Sequence, residues 1–184
     1  IRSDWLQWWT HRFQRDRARL GRNAWMRARI GVRWRSTLEA VRAQIDQRGP
    51  LGARDFPSPA RAGQGWWDWS PHKAALEMLW RSGELAVHSR RNFEKVYERA
   101  DRVLGPQPAL PDRQELVEWA CMQALQRLGA ATPRELSGFM NMVTIAEARA
   151  WSARAAREGR IQAAMLARLG RAAMPGVARL DWRE

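Results

Sequence analysis

Residues 70–97 read SPHKAALEMLWRSGELAVHSRRNFEKVY, and this stretch decides the fold. Ser70 followed by Pro71 is typical of a helix start, because a serine hydroxyl caps unpaired backbone N–H groups and proline suits the first helical position. Apolar or small residues then recur at helical spacing, at Leu76, Leu79, Trp80 and Gly83. The polar side chains are predicted to lie along the opposite, solvent-facing side, at Ser70, Lys73, Glu77 and Arg81. We therefore predict a helix over residues 71–82.

The second half of the stretch predicts a β-hairpin. Residues 84–88 alternate between apolar and polar with a period of two, which is the pattern of a half-buried strand. Residues 89–92 form a polar turn, and residues 93–97 can return as the partner strand. A hairpin with a basic tip that follows three helices is the arrangement of a winged helix, which is a helix-turn-helix with a β wing.

Outward from this stretch, the chain contains two similar halves. Residues 49–56 align with residues 129–136, and residues 81–85 align with residues 157–161. Capping-box spacing marks three further helix starts, at Ser36 with Glu39, Thr132 with Glu135, and Thr144 with Glu147. The predicted fold class is mainly α with small β wings, in tandem winged-helix (helix-turn-helix) domains.

Prolines separate the two halves. Pro106, Pro108 and Pro111 forbid a continuous helix or strand, so residues 105–111 are predicted to be a linker. The predicted order is a basic, Trp- and Arg-rich helical segment over residues 1–35, a winged-helix domain over 36–104, the linker over 105–111, and a second, truncated winged-helix domain over 112–184.

The net charge of the chain indicates which class of partner it binds. The 184 residues contain 32 Lys+Arg against 19 Asp+Glu, a net charge of +13, which favours a polyanion such as double-stranded DNA. No apolar run approaches the roughly 20 residues of a membrane-spanning helix, so a membrane protein is excluded. The single cysteine, Cys121, cannot form an internal disulfide, and we expect a cytoplasmic, nucleoid-associated protein.

The first 35 residues concentrate this charge, with ten Arg and two Asp, a net +8. Tryptophans interrupt the arginines, and together with Leu6 and Phe13 they predict an amphipathic helix that packs on something outside this chain. Another tryptophan cluster, Trp66-Trp67-Asp68-Trp69, precedes Ser70 and is expected to staple the turn onto the helix. The alternative for these rings is stacking at a distorted base step.

Six residues are the candidate DNA contacts of the predicted helix and wing: His72, Lys73, Arg81, Arg90, Arg91 and Lys95. Arg90 and Arg91 are the best of them, because they are adjacent with no acid between them. Glu77, predicted on the same helical face, would repel phosphate. The three histidines lie at no metal-ligand spacing, so we predict neither a metal site nor a cofactor, and the residues alone indicate a binding module.

Residues 65–71 read Gly-Trp-Trp-Asp-Trp-Ser-Pro, and residues 90–97 read Arg-Arg-Asn-Phe-Glu-Lys-Val-Tyr. With the intervening helix and Arg102-Val103-Leu104, they resemble the crosslink-repair DNA glycosylases of the YcaQ/AlkZ-like group. The resemblance is firmest over residues 36–104 and implies tandem winged helices. It also implies hydrolysis of the N-glycosidic bond of alkylated or crosslinked purines in DNA repair, without a metal.

The family activates water with a Gln–hydrophobic–Asp or Gln–hydrophobic–Gln motif near its N-terminus. Gln44-Ile45-Asp46 fits that pattern, but Ile45 continues an apolar helical stripe with Leu38 and Val41, so we interpret the match as a decoy. By this alignment the chain is an internal fragment that starts after the catalytic motif. No catalytic residue is therefore assigned within it.

The leading hypothesis is the DNA-binding, winged-helix portion of such a glycosylase, acting on damaged duplex as a monomer. Two alternatives are open. A non-catalytic winged-helix transcriptional regulator would prefer a two-fold operator over damaged duplex. A plain interaction scaffold would show DNA binding that is absent or insensitive to salt.

Overall fold

The structure is a computed structural model that describes residues 5–57, 70–106, 109–168 and 171–182. It is mainly helical with small antiparallel sheets. Two compact units divide the chain, residues 1–110 and residues 111–184. The helices of the first unit are α1 (Leu6–Ala18), α2 (Ala24–Ile30), α3 (Trp34–Arg48), α4 (Pro71–Arg81) and α5 (Ala100–Leu104). Its strands are β1 (Leu51–Gly52), β2 (Leu85–Arg91) and β3 (Glu94–Arg99).

The core of the first unit lies between α3 and α4. The apolar stripe of α3 is fully buried at Val41 and Ile45. It packs in one cluster with the buried face of α4, whose Leu76 and Leu79 are also inaccessible. Burial of such side chains is worth about 1.5–3 kcal/mol each, so this contact holds α4 firmly in place.

The sheet of the first unit has the strand order β1-β3-β2, with all pairs antiparallel. The hairpin of β2 and β3 has a register shift between Val87 and Ser89. Beyond this bulge the hairpin projects as an exposed arm, since residues 88–93 are all exposed. We call this arm, residues 88–95, the wing.

The second unit has a similar order, with one more α-helix between its short strand and its hairpin than the described part of the first unit. Its elements are α6 (Arg113–Leu128), β4 (Ala130–Ala131), α7 (Pro133–Met140), α8 (Ile145–Arg157), β5 (Gln162–Arg168) and β6 (Arg171–Ala178). The sheet order β4-β6-β5 is equivalent to β1-β3-β2, which agrees with the internal similarity of the sequence. Cys121 is fully buried on α6, and burial together with nearby carboxylates raises its pKa to about 12, so it is an unreactive thiol.

Helix α1 packs on the first unit of this same chain, so the expectation that its partner lies outside the chain was wrong. Leu6 is buried. The ring of Phe13 lies so close to Gly83 that a Cβ at that glycine would be 2.5 Å from it. The guanidinium of Arg17 donates to the backbone oxygen of Ser82 at 3.2 Å.

Most predicted helix starts are confirmed. The hydroxyls of Ser70, Thr132 and Thr144 each accept an N–H from the first turn of the following helix. Ser36 was wrongly placed, because α3 begins at Trp34, and Ser36 lies within its first turn and donates its hydroxyl to the oxygen of Arg33. The tryptophan cluster of residues 66–69 lies outside the described residues. No helix in the described part of the chain is long and apolar enough to cross a membrane.

Candidate nucleic-acid interface

Two candidate residues lie in the first turn of α4. The Ser70 hydroxyl accepts the N–H of Lys73 at 3.2 Å, which fixes where the helix begins. Lys73 is exposed. His72 is half-buried and stacks on Phe56, with ring centroids 5.2 Å apart and an interplanar angle of 18°. This turn therefore presents an exposed lysine, while His72 packs against the segment that precedes α4.

Arg81 is exposed at the opposite end of α4. Eight residues separate it from Lys73, which is about 12 Å along a helix. Arg81 therefore does not share a site with the first turn, and only an extended ligand can contact both ends of α4.

The wing carries Arg90 and Arg91, both exposed. Arg91 pairs with Glu94 across the hairpin, so Asn92 and Phe93 alone make the turn. The guanidinium of Arg90 donates to the backbone oxygen of Phe93 at 3.1 Å and closes the tip.

A short segment between β1 and α4 holds the wing at its base. The Asp55 carboxylate accepts the N–H of Gly52 at 2.7 Å and a guanidinium N–H of Arg91 at 3.3 Å. The Gly52 hydrogen bond and then Arg91 lower the pKa of Asp55, although partial desolvation opposes them. Arg54 pairs with Glu94 at 2.9 Å. Because the adjacent Phe56 holds His72, this segment links the wing to the first turn of α4.

Lys95, the last residue of the wing, is tied to α4. Its ammonium lies 2.8 Å from the Glu77 carboxylate and 3.8 Å from the centre of the Trp80 ring. Tyr97 also donates its hydroxyl to Glu77, at 2.7 Å, and burial followed by this carboxylate raises the Tyr97 pKa. Glu77 is only 9% exposed, so its predicted position on the solvent face was wrong.

That correction changes the electrostatics of the candidate surface. Glu77 does not repel an anionic ligand of α4, because its carboxylate is buried and Lys95 neutralises its charge. The Lys95 ammonium is engaged in this ion pair, and only 26% of its side chain is exposed to a ligand. Five of the six candidate residues therefore lie on the wing or in the first turn of α4. Arg81 lies apart from them, at the other end of α4.

The segment that matches a catalytic pattern is an ordinary helix surface. Ile45 is fully buried in the core. Gln44 accepts from Arg48 at 3.4 Å, one turn along α3. Asp46 accepts from Arg99 at 3.1 Å, and it is 3.9 Å from Arg102. Both polar side chains therefore have structural partners.

Sequence reasoning missed two features of this surface. The first is the buried Glu77–Lys95 pair, which helical spacing alone does not reveal. The second is Phe93, which was assigned to a strand but occupies the hairpin tip with 92% of its surface exposed. The sequence signal for the second is Asn92, which is typical of the first central position of a two-residue hairpin turn and would place Phe93 at the second.

Comparison with known families gives one match, and the matched residues include the whole surface described above. The model of the family described as "DNA glycosylase AlkZ-like" matches residues 1–182. No solved structure matches the chain. The resemblance inferred from residues 65–104 is therefore confirmed over nearly the full sequence, and the chain belongs to the AlkZ-like family of DNA glycosylases.

Proposed function

We propose that this chain supplies the DNA-binding, tandem winged-helix portion of a glycosylase that excises alkylated or crosslinked purines from duplex DNA. Membership of a DNA glycosylase family supports the reaction and makes DNA the substrate. The exposed, basic wing, which the Lys95–Glu77 pair braces against α4, is the observation that carries the binding role.

The order of elements supports the winged-helix interpretation of each unit. In the first unit, α3 leads into the short strand β1, α4 follows, and the β2–β3 hairpin returns beside β1. From α6 to β6 the second unit follows this order with one additional helix, α7, between β4 and α8. In winged-helix proteins the helix before the hairpin enters the major groove while the hairpin contacts the backbone or minor groove. By that geometry α4 and α8 are the two groove helices.

Charge supports duplex DNA as the ligand of the first unit. Arg90 and Arg91 are exposed at the wing, and Lys73 is exposed at the start of α4. These cations are spaced along one helix and one hairpin, which suits a repeating phosphate backbone better than a single small anion. Arg81 at the far end of α4 extends the same contact. His72 and Lys95 support this basic surface through contacts within the unit. His72 stacks on Phe56, and Lys95 neutralises Glu77.

No catalytic residue is assigned here. Hydrolysis of an N-glycosidic bond needs a group that positions and activates water against a developing positive charge on the sugar. Gln44 and Asp46 are on α3 and have structural partners, Arg48 and Arg99. We propose that these two residues stabilise the helix surface and take no part in base release.

The test measures binding and base release on one substrate, a duplex carrying a single N7-methylguanine. We expect this chain to bind the duplex as a monomer, with an affinity that falls steeply with salt. We expect base release from the product of the complete reading frame but not from this chain. A folded chain that binds no duplex at low salt overturns the binding role. Release by neither protein overturns the substrate, and a clear preference for a two-fold operator favours a regulator.

A further inference from the structure

The tip of the wing has a feature that folding alone does not explain. Asn92 and Phe93 are the two central residues of the β2–β3 turn, with φ values of 48° and 65°. Two positive φ angles are the signature of a type I′ hairpin turn, which strongly favours Asn-Gly. Asn92 fits its position. Phe93 occupies the position where glycine is favoured, and a bulky side chain in the left-handed region is strained.

Phe93 contributes little to the core that could offset this strain. Its surface is 92% exposed, so the ring buries almost no area within the first unit. Replacing it by glycine would relieve the turn without leaving a cavity. Strained residues of this kind persist where the surrounding structure holds them in place, and they cluster at functional sites.

The wing holds this ring in a defined position. The Arg90 guanidinium donates to the Phe93 oxygen at 3.1 Å, which fixes the turn from one side. Arg91 is anchored to Asp55 at 3.3 Å, and Arg54 holds the Glu94 that follows the turn at 2.9 Å. The exposed ring therefore projects from a braced hairpin, with Arg90 and Arg91 immediately before the two turn residues.

We propose that Phe93 is a wedge that inserts between adjacent bases of the duplex while Arg90 and Arg91 contact the flanking phosphates. Proteins that distort DNA insert apolar side chains between base steps in this way, and partial unstacking lowers the cost of reaching a damaged base. An aromatic ring can stack on any base, so the wedge needs no particular sequence. This inference rests on the proposed binding of duplex DNA by the wing.

The test compares Phe93→Gly with Asn92→Gly as the matched control in the full chain. Asn92→Gly removes a side chain from the same turn without removing the ring. The probes are N7-methylguanine duplexes in which 2-aminopurine, whose fluorescence rises on unstacking, is placed at successive positions. We expect the wild-type chain and Asn92→Gly to raise the fluorescence at one position. Phe93→Gly should abolish that rise, weaken the Kd about tenfold and keep the salt dependence of binding.

Stability provides the second readout. Because glycine suits the turn, Phe93→Gly should raise the Tm, by about 2–5 °C. A lower Tm would show that the ring supports the fold and would overturn the wedge. An unchanged fluorescence rise in Phe93→Gly, or no rise in the wild-type chain on binding, overturns the wedge and leaves DNA binding intact. A folded wild-type chain that binds no duplex overturns the proposed function as well.

Discussion

The carboxylate of Glu77 and the ammonium of Lys95 lie 2.8 Å apart, and this pair joins α4 to the strand that returns from the wing. Glu77 is the buried partner, and Tyr97 gives it a second hydrogen bond. The wing therefore cannot shift relative to α4 without exposing or orphaning a carboxylate.

Removing the cation alone should be costly. Lys95→Met leaves the buried Glu77 charge with Tyr97 as its remaining partner, and we expect a loss of about 1–3 kcal/mol in the free energy of unfolding. Adding Glu77→Gln to Lys95→Met should recover part of that loss, since the unpaired charge disappears. Urea unfolding of the two variants measures this, and a double variant less stable than Lys95→Met would contradict it.

Gly83 is the contact point for α1, and its substitution should loosen that helix. Its φ is +73°, and an added Cβ would meet Phe13 at 2.5 Å. We expect Gly83→Ala to cost about 3 kcal/mol, from backbone strain and the clash together. Gly105→Ala is the matched control, with a φ of +74° and nothing within 4 Å, and strain alone predicts a cost of about 1 kcal/mol. Equal costs for the two variants would show that α1 does not pack there.

The start of α8 should make the second unit sensitive to acid. Arg113 donates to both oxygens of Glu147, at 2.7 Å each. This pair, and the Thr144 cap after it, lower the Glu147 pKa from 4.5 to about 2, against a smaller effect of desolvation. The folded state therefore gains stability from the ionised carboxylate above pH 4.5 and loses it as pH falls toward 2.

Glu147→Gln removes that charge but keeps an amide that can still cap the helix. Its Tm should lie below the wild-type value at pH 7, and the difference should narrow as the pH falls from 4.5 to 2. Glu39→Gln, at an exposed position on α3, should leave the Tm unchanged at both ends of this range. A Tm difference for Glu147→Gln that does not change with pH would contradict the role of the Arg113 pair.

Local signals predicted much of this fold from the sequence. The starts of α4, α7 and α8 followed from side chains that cap their own helix, so no distant residue was needed. Glu77 was misplaced because its partners, Lys95 and Tyr97, are 18 and 20 residues away and reach it only after the hairpin folds back. Contacts of this kind depend on packing between elements, which periodicity within one helix does not record.

The match of Gln44-Ile45-Asp46 to a catalytic pattern gives a further prediction. Asp46 is exposed and pairs with Arg99, and exposed ion pairs contribute little to stability because water screens them. The double substitution Gln44→Ala with Asp46→Ala should therefore leave the Tm almost unchanged and leave base release by the product of the complete reading frame unchanged. Loss of release with retained duplex binding would make these two residues the water-activating pair.

Charge reversal at the wing tests the DNA interface most directly. Arg90 and Arg91 are exposed, and each guanidinium donates one N–H within the wing, to Phe93 and to Asp55, which leaves further N–H groups of both for phosphate. Each phosphate contact contributes about 0.9 to the slope of log K against log salt concentration. The variant Arg90→Glu with Arg91→Glu should weaken duplex binding and reduce the magnitude of that slope by about 2.

The control reverses two arginines of the second unit, Arg127 and Arg134, which changes the net charge by the same amount. Both are exposed, on α6 and α7, and neither lies on a proposed groove helix. If the wing contacts the DNA phosphates, the control should keep most of the wild-type salt slope. It lowers the net charge as much as the wing variant does, but it removes no side chain that contacts a phosphate. An equal loss of slope in the two variants would mean that the net charge, and not the wing, holds the DNA.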